Sequence, residues 1–212
     1  MDHQYIIDHF KKVSSLGLPG EDSHRSLMPL KRPISSKAKA RSQTYRESGV
    51  GIVLHKNGTS LECLLIERPD YEGTHGGQIS FPGGKRDPGD IDLEYTARRE
   101  CFEEVGLPFG HGEHLSQLTE VFIPVSDFLV QPYIFYVEEL PPLIPDDREV
   151  QSIISFDLLS LMDDSILRRK SLKLRSGIMI KDMPYFDIQG HVVWGATGMI
   201  LSEMKEILMR IR

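Results

Sequence analysis

Apolar residues recur along the chain with two different spacings, and these spacings predict the order of its helices and strands. Residues 4–16 place apolar side chains at the intervals of one helix face: Ile6, Ile7, Phe10 and Val13. This amphipathic helix is expected to end near the breaker Leu18-Pro19-Gly20. Beyond Gly49, two apolar runs flank Asn57-Gly58, which is a strong signal for a β-hairpin.

The rest of the chain alternates between apolar runs and turn residues, which predicts a mixed sheet covered by helices. Leu93 to Val105 is predicted as a helix, with Asp92 as its N-cap and Gly106 as its C-terminal stop. Further strands are expected at 78–81, 118–125, 128–137 and 149–156, and short strands around turns at Lys181-Asp182 and Gln189-Gly190. A short helix is expected at 156–162 and a longer one from Ala196 to Ile211. The fold class that follows is an α+β layered domain.

A basic segment separates the first helix from the predicted sheet. Residues 31–46 contain six cationic side chains and no acid: Lys31, Arg32, Lys37, Lys39, Arg41 and Arg46. Its composition predicts an extended connector, which is either a solvated linker or a contact to an anionic ligand. We therefore divide the chain into an N-terminal helix with basic connector, residues 1–45, and a main domain, residues 46–212.

Composition and charge narrow the class of protein. A chain of 212 residues with 40% hydrophobic and 26% charged residues is typical of a soluble globular domain. The net charge of −6 argues against nucleic acid as a partner, and no apolar run approaches the roughly 18 residues of a membrane span. The two cysteines, Cys63 and Cys101, are expected to be buried free thiols. With no signal-peptide pattern, the cytoplasm is the expected location. Oligomeric state stays open, and a homodimer is compatible with the sequence.

The helix predicted at Leu93–Val105 crowds Glu100, Glu103 and Glu104 into five residues. At about 100° per residue, these side chains fall at one edge of the apolar stripe, so all three are expected to face the protein body. Inward carboxylates need compensation, and a Mg²⁺ or Mn²⁺ ion would supply it. The alternative is a surface acid cluster neutralised by lysines. The preceding Gly83-Gly84 loop favours the metal, because its backbone can approach a ligand closely.

This stretch resembles the Nudix box, with Gly84 followed by Arg99-Glu100-Cys101-Phe102-Glu103-Glu104-Val105-Gly106-Leu107. Asp90 stands where the common box has glutamate, and the spacer is one residue longer. Both departures resemble the coenzyme A pyrophosphatase branch, as do Leu64 to Pro69 and Gly77 to Gly84. Ile66, Pro69 and Gly73 differ from that branch signature, and Gly73 replaces an expected arginine.

The resemblance implies an α/β/α sandwich and a metal-dependent hydrolase of nucleotide pyrophosphate bonds. The branch implies coenzyme A, or an acyl-CoA, cleaved to 3′,5′-ADP and 4′-phosphopantetheine. Two alternatives remain. One is a Nudix enzyme for ADP-ribose or another nucleoside diphosphate derivative. The other is a non-catalytic nucleotide-binding protein on the same scaffold, which the intact glutamates disfavour.

The resemblance also assigns site residues. It implies the metal ligands Glu100, Glu103, Glu104 and the Gly84 carbonyl, with Glu100 as the base. Glu103 belongs with Glu100 to the catalytic group, and Arg99 orients a glutamate. The substrate-binding residues implied are Arg68, Gln78 and Gly83. Further candidates are Glu149, whose alternative is an ordinary strand-end acid, and His75, whose alternative is an ordinary loop histidine. Trp194 and Tyr185 either stack on a base or pack in the core.

Overall fold

The computed structural model describes residues 2–28, 33–42, 44–69, 77–173 and 179–211. Its helices are α1 (His3–Leu16), α2 (Glu21–His24), α3 (Ser35–Lys39), α4 (Leu93–Val105) and α5 (Gly195–Met209). Short 3₁₀ turns lie at Arg25–Leu27, Leu158–Met162 and Asp164–Ile166. The strands are β1 (Arg46–Asn57), β2 (Ser60–Glu67), β3 (Ile79–Ser80), β4 (Gly83–Lys85), β5 (Glu113–Gln117), β6 (Val121–Ile123), β7 (Phe128–Val137), β8 (Ser152–Asp157), β9 (Leu167–Lys173), β10 (Met179–Ile188) and β11 (His191–Val193).

Within these ranges, β1 to β8 form one mixed sheet, and β9 to β11 form a smaller antiparallel sheet. The long strands β1 and β7 run parallel at the centre, from Arg46 opposite Phe128 to His55 opposite Val137. The predicted hairpin is confirmed, since β1 and β2 pair antiparallel around a turn in which Asn57 faces Ser60. The short strand β4 pairs with the start of β1, which brings the glycine loop beside the central strands.

Helices cover both faces of the main sheet, as the α/β/α prediction requires. Ile52 and Leu54 of β1 join the large apolar cluster that contains α1 and α5. The residue between them, Val53, points to the other face and packs with Cys101 and Val105 of α4. This alternation follows from the two-residue period of a strand. The α+β class and the layered arrangement are therefore confirmed.

Two glycines of β1 allow α4 to lie unusually close to the sheet. A Cβ atom added to Gly49 would lie 2.3 Å from the carbonyl oxygen of Leu93, and one added to Gly51 would lie 2.4 Å from the Cys101 sulfur. Real Cβ atoms do not tolerate such distances, so larger residues would push α4 away from β1. The close contact fixes the height of the glutamates of α4 above the sheet.

The ends of α4 agree with the sequence prediction. Asp92 has extended backbone geometry, and its carboxylate accepts a hydrogen bond from the Tyr95 amide at 2.7 Å. Gly106 ends the helix with φ of 71°, a left-handed conformation that suits glycine. The packing of Cys101 and Val105 against Val53 then sets the rotation of the helix and with it the directions of its glutamates.

Several elements differ from the sequence prediction. The strands β5 and β9 were not predicted, because their sequences, EHLSQ and LRRKSLK, are too polar to show a strand period. The turn predicted at Lys181-Asp182 is instead an irregularity inside β10, where Asp182 has φ of 51°. The short helix at 156–162 is a 3₁₀ turn.

The basic connector also differs from its prediction as an extended segment, since α3 forms within it. Lys39 pairs with Glu120 at 2.7 Å, and Arg46 lies over the ring of Phe128. Lys31 and Arg32 lie outside the described residues. The proposed division between residues 45 and 46 stays a prediction.

The N-terminal helix packs into the core, and a buried acid fastens the segment that follows it. The apolar face of α1 is fully covered and belongs to the same cluster as α5. Glu203 of α5, which is 0% exposed, accepts hydrogen bonds from the Gly20 amide and from the amide and hydroxyl of Thr119, and it contacts the His24 ring at 3.3 Å. These partners keep the pKa of Glu203 below its ordinary value in spite of burial, whose effect is to raise it.

Both cysteines are buried free thiols, as predicted. Burial raises the pKa of each thiol well above its ordinary value. Among the described residues, no helix combines the length and the apolar composition needed to span a membrane.

Candidate active site

A cavity of about 790 Å³ opens between the start of β1, the glycine loop, α4 and the start of α5. Most of the residues that the sequence predicted for the site line it: Arg68, Gln78, Gly83, Gly84, Glu100, Glu103 and Glu149. Its other walls are largely apolar and come from the β6–β7 turn, β10 and the segment beginning at Trp194. The structure thus brings together the predicted residues that it describes. His75 and Gly73 lie outside the described residues.

The three glutamates of α4 are not equally buried. The side chain of Glu104 is 1% exposed and that of Glu100 is 12% exposed, whereas that of Glu103 is 52% exposed. The prediction that all three face the protein body is therefore wrong for Glu103. Its position at the far end of the shoulder, at about 280° on the helical wheel, takes it out of the interface and to the cavity rim.

Glu104 connects α4 to the glycine loop. One carboxylate oxygen accepts a hydrogen bond from the Gly83 amide at 2.8 Å, and the other accepts one from Arg68 Nη1 at 3.0 Å. Burial raises the pKa of Glu104 to about 7, although Arg68 and the Gly83 amide oppose this change and nearby Glu100 and Glu149 add to it. In this state Glu104 fixes the loop and the Arg68 side chain.

Arg99 is the centre of the charge network on the same helix. Its guanidinium lies 2.9 Å from Glu100 and 2.6 Å from Glu103, and it donates to the Lys85 carbonyl at 3.1 Å. Asp90, which is 5% exposed, accepts from Nε and Nη2 of Arg99 at 3.0 and 3.1 Å. The orientation of Arg99 beside Glu100 therefore depends on Asp90.

Asp90 is itself held in place by the protein. One of its oxygens accepts hydrogen bonds from the Asp87 amide at 2.9 Å and the Thr96 hydroxyl at 2.8 Å. Arg99 is the main cause that lowers the pKa of Asp90 to about 2, against the effect of burial. The sequence marked Asp90 only as a departure from the common box, and it gave no partner for this carboxylate. The sequence carried no local signal for this pair, because Asp90 lies outside the helix that carries Arg99.

Gly84 brings its backbone directly against the Glu100 carboxylate. A Cβ atom at Gly84 would lie 2.4 Å from one Glu100 oxygen and 2.6 Å from the other. Any side chain here would displace Glu100, so glycine is required for the close contact. Gly84 and Glu100 both line the cavity, and a backbone carbonyl and a carboxylate are the types of oxygen ligand that a hard cation takes.

The donor chemistry of this region fits a divalent cation. Burial is the main cause that raises the pKa of Glu100; Arg99 opposes this change, and repulsion from Glu103 and Glu149 adds to it. A cation at Glu100 and Glu103 would relieve this repulsion. Across the described ranges, however, no three acidic, imidazole or thiol side chains are already arranged to hold a metal ion. Glu104 is occupied by Arg68 and Gly83, and Arg99 contacts the other two glutamates.

Arg68 and Gln78 lie at one side of the cavity, on adjacent strand ends. The Arg68 amide donates to the Gln78 carbonyl at 3.0 Å, which joins the two parts of the signature stretch. Arg68 also lies 3.6 Å from Glu149, so this strand-end acid is part of the same charged cluster. Tyr185 is covered by Lys170 on the small sheet, whereas Trp194 lines the cavity.

Comparison with known proteins identifies the family. The NUDIX domain model matches residues 45–174, which is more than half of the chain. The chain therefore belongs to the Nudix family, and the prediction of a Nudix hydrolase is confirmed. It is 29% identical over 164 residues to Nudix hydrolase 3 of Caenorhabditis elegans, a match that covers 68% of this chain and 66% of that protein.

Other relatives agree on the family and on the fold. The chain is 32% identical over 145 residues to an uncharacterized Nudix hydrolase, NudL, of Yersinia pestis (strain Pestoides F), covering 68% of this chain and 70% of that protein. Among solved structures it resembles the Nudix hydrolase RenU of M. smegmatis, with a TM-score of 0.55, 15% identity and coverage of 88% and 95%. It also resembles a MutT protein of Methanosarcina mazei Go1, with a TM-score of 0.52, 17% identity and coverage of 81% and 98%.

Proposed function

We propose that this protein hydrolyses the pyrophosphate bond of a nucleotide derivative with the help of Mg²⁺ or Mn²⁺. The observation that carries the proposal is the contact of the partly buried Glu100 carboxylate with the Gly84 backbone, on the wall of a cavity large enough for a nucleotide. Burial, opposed by Arg99, raises the pKa of Glu100, and a carboxylate with a raised pKa is a stronger base toward water.

Each site residue has a distinct task in this proposal. Glu100 accepts the proton of the attacking water, and Arg99, fixed by Asp90, holds Glu100 in position. Glu103, together with Glu100 and the Gly84 carbonyl, would hold the cation. When bound, the cation neutralises phosphate charge and makes water a stronger nucleophile. Glu104 keeps the glycine loop in place through the Gly83 amide and joins the ligands if Arg68 moves to the substrate.

Arg68, Gln78 and Gly83 are proposed to bind the substrate. The side chain of Arg68 is 20% exposed, and its guanidinium already lies beside two acids, Glu104 and Glu149. A pyrophosphate group entering the cavity is a stronger bidentate partner for it than Glu149 at 3.6 Å. Arg68 would then neutralise the phosphate charge that the cation leaves uncompensated.

Coenzyme A or an acyl-CoA is the substrate that we favour, with 3′,5′-ADP and 4′-phosphopantetheine as products. Three features support this choice: the signature residues Gln78 to Gly84, the longer spacer and Asp90. Gln78, Gly83 and Gly84 line the cavity, and Asp90 binds Arg99 beside it. ADP-ribose or another nucleoside diphosphate derivative is the second candidate, supported by Gly73 and Pro69 in place of the expected residues.

The proposal is tested by comparing Glu100→Gln with Glu94→Gln, a control on the same helix. Glu94 pairs with Arg98 and His114 and does not line the cavity. We expect Glu100→Gln to lower kcat by at least about 100-fold and to weaken Mn²⁺ binding, measured by electron paramagnetic resonance. Glu94→Gln should leave both within about twofold. Full activity of Glu100→Gln with normal Mn²⁺ binding would refute the assignment.

Substrate choice is tested separately on a panel of coenzyme A, acetyl-CoA, ADP-ribose and diadenosine polyphosphates. We expect the highest kcat/KM for coenzyme A or its acyl derivative. A higher value for ADP-ribose would move the assignment to the second candidate and leave the reaction type unchanged. We further propose a small-molecule partner only, a cytoplasmic location and a homodimer. Light scattering would test the dimer against the 24.1 kDa mass of the chain.

A further inference from the structure

The Arg68 guanidinium bridges two of the acids beside the cavity. Its Nη1 donates to Glu104 at 3.0 Å, and its Nη2 lies 3.6 Å from Glu149. The side chain of Glu104 is 1% exposed, so its negative charge needs a compensating partner. In the substrate-free protein, Arg68 supplies the positive charge at this buried carboxylate.

The same carboxylate adjoins the group that we propose to hold the metal. Glu104 accepts a hydrogen bond from the Gly83 amide at 2.8 Å, and the next residue of the loop, Gly84, lies directly against Glu100. The two carboxylates therefore face consecutive residues of the glycine loop. Burial raises the pKa of Glu104, Arg68 opposes this change, and repulsion from Glu100 adds to it. A cation at this place stabilises both carboxylates.

The turn that carries Glu149 is joined to the end of α4. The Asp146 amide donates to the Glu104 carbonyl at 3.0 Å, and the Glu149 amide donates to the Asp146 carbonyl at 3.0 Å. The backbones of Glu104 and Glu149 are thus connected, while Arg68 connects their side chains. The position that Arg68 fills is therefore built from α4 and from the turn that follows it in space.

Arg68 can leave this position without a change of the backbone. Its amide donates to the Gln78 carbonyl at 3.0 Å and its carbonyl accepts from the Gly77 amide at 3.2 Å, so the main chain is held on both sides. Its side chain is 20% exposed, and Arg68 lines the cavity. Arg99 and its partner Asp90 do not line it. Of these two arginines, Arg68 is thus the one that an anion in the cavity reaches.

A guanidinium and a divalent cation compete for one carboxylate, because like charges a few ångströms apart repel each other strongly in a partly buried site. We propose that Arg68 occupies the cation position at Glu104 in the substrate-free protein and leaves it to bind the substrate phosphates, so that substrate and metal bind cooperatively. This inference rests on the proposed function, since it concerns the metal and the pyrophosphate of that reaction. Arg68 is then a built-in competitor that keeps the metal affinity low until a substrate is bound.

Metal binding without substrate provides the first test. Titration with Mn²⁺ at about pH 8, followed by electron paramagnetic resonance, would compare the unmodified protein with Arg68→Gln. We expect Arg68→Gln to bind Mn²⁺ at least about fivefold tighter, because a competing positive charge is gone. Arg68→Lys retains a positive charge and should stay within about twofold of the unmodified protein. An unchanged or lower Mn²⁺ affinity of Arg68→Gln would overturn the proposal.

The matched control is Arg148→Gln, which changes the net charge by the same amount. Arg148 is exposed, adjoins Glu149 in the sequence and does not line the cavity. Its removal reports the long-range effect of one charge, which solvent and salt screen, and we expect a change in Mn²⁺ affinity below about twofold. Circular dichroism would establish that each variant is folded. Equal gains in affinity for Arg148→Gln and Arg68→Gln would contradict a specific competition.

Cooperativity is tested with adenosine 5′-(α,β-methylene)diphosphate, whose phosphate pair resists hydrolysis. At saturation, this nucleotide should tighten Mn²⁺ binding to the unmodified protein at least about tenfold. The gain should be at least about threefold smaller in Arg68→Gln. Direct chelation of the metal by the phosphates is common to both proteins, whereas the release of Arg68 occurs only in the unmodified one. Equal gains in the two proteins, or no gain in the unmodified protein, would overturn the proposal.

Turnover separates this inference from the proposed function. A protein that shows the tighter Mn²⁺ binding of Arg68→Gln but cleaves no pyrophosphate would refute the proposed function and leave Arg68 as the competitor. A protein that cleaves coenzyme A or another pyrophosphate, but binds Mn²⁺ equally with and without Arg68, would refute only the competition. A lack of Mn²⁺ binding by both proteins at millimolar concentration would refute both.

Discussion

The role of Asp90 can be tested by replacing it with asparagine, which removes the charge and preserves the shape. The asparagine side chain keeps one acceptor oxygen. Its NH2 group, however, takes the place of a carboxylate oxygen that accepted hydrogen bonds, so two hydrogen-bond donors then face each other. Arg99 then loses its most buried anionic partner. Its remaining anionic partners are two more exposed side chains, Glu103 and Glu100, and Glu100 is the group that we propose as the base.

The size of the effect follows from the pKa of Asp90, which is lowered from 3.8 to about 2. A tenfold change in acid dissociation corresponds to about 1.4 kcal/mol, so the folded state favours the ionised form by about 2 kcal/mol. Because the folded pKa is the lower one, this stabilisation is complete above pH 3.8 and is lost as the pH falls through about 2. Asp90→Asn should therefore cost about 2 kcal/mol at pH 7.

Urea unfolding of both proteins at pH 7 and pH 3 measures this difference. We expect the gap in unfolding free energy to fall to roughly half its pH 7 value at pH 3. Asp87→Asn is the control, because Asp87 is exposed and contributes only its backbone to the network. A gap below about 0.5 kcal/mol at pH 7, or one that does not change with pH, would contradict the assignment of Asp90 as the anchor of Arg99.

Two further predictions concern packing and thiol chemistry. Gly51→Ala should lower the unfolding free energy by about 1–3 kcal/mol, because the new methyl group would lie 2.4 Å from the Cys101 sulfur. The control Gly89→Ala, with open space around the new methyl group, should change the unfolding free energy little. Equal thermal stability of the two variants would argue against close packing of α4 on β1. Cys63 and Cys101 should react with Ellman's reagent only on unfolding, since both thiols are buried and burial raises their pKa. Rapid labelling of the native protein would contradict this prediction and show that the core opens readily.

The sequence predicted the elements that have a clear period and local end signals. The helix α4 was predicted with its exact ends because Asp92 and Gly106 act locally on the backbone. The strand β9 was not predicted, because none of its described side chains is buried and its sequence does not alternate between apolar and polar residues. The pattern of apolar and polar residues predicts single helices and strands, but it does not show which distant strands pair with one another.

The same distinction holds in the site. The helical wheel placed Glu100 and Glu104 correctly, because their directions depend only on the helix. It failed for Glu103, which lies farthest of the three from the apolar stripe and has a side chain that is 52% exposed. The contacts of Glu104 with Arg68 and of Asp90 with Arg99 join separate elements, so no spacing within one helix could reveal them.

The burial of Glu203 has a consequence for the order in which the chain folds. Its partners Gly20 and His24 are synthesised 183 and 179 residues earlier, so these contacts close loops that span most of the chain. During synthesis, the apolar face of α1 leaves the ribosome long before α5 exists to cover it. Contacts of such high sequence separation form late and slowly. We therefore expect the N-terminal segment to be the last part of the chain to become protected from proteolysis during biosynthesis.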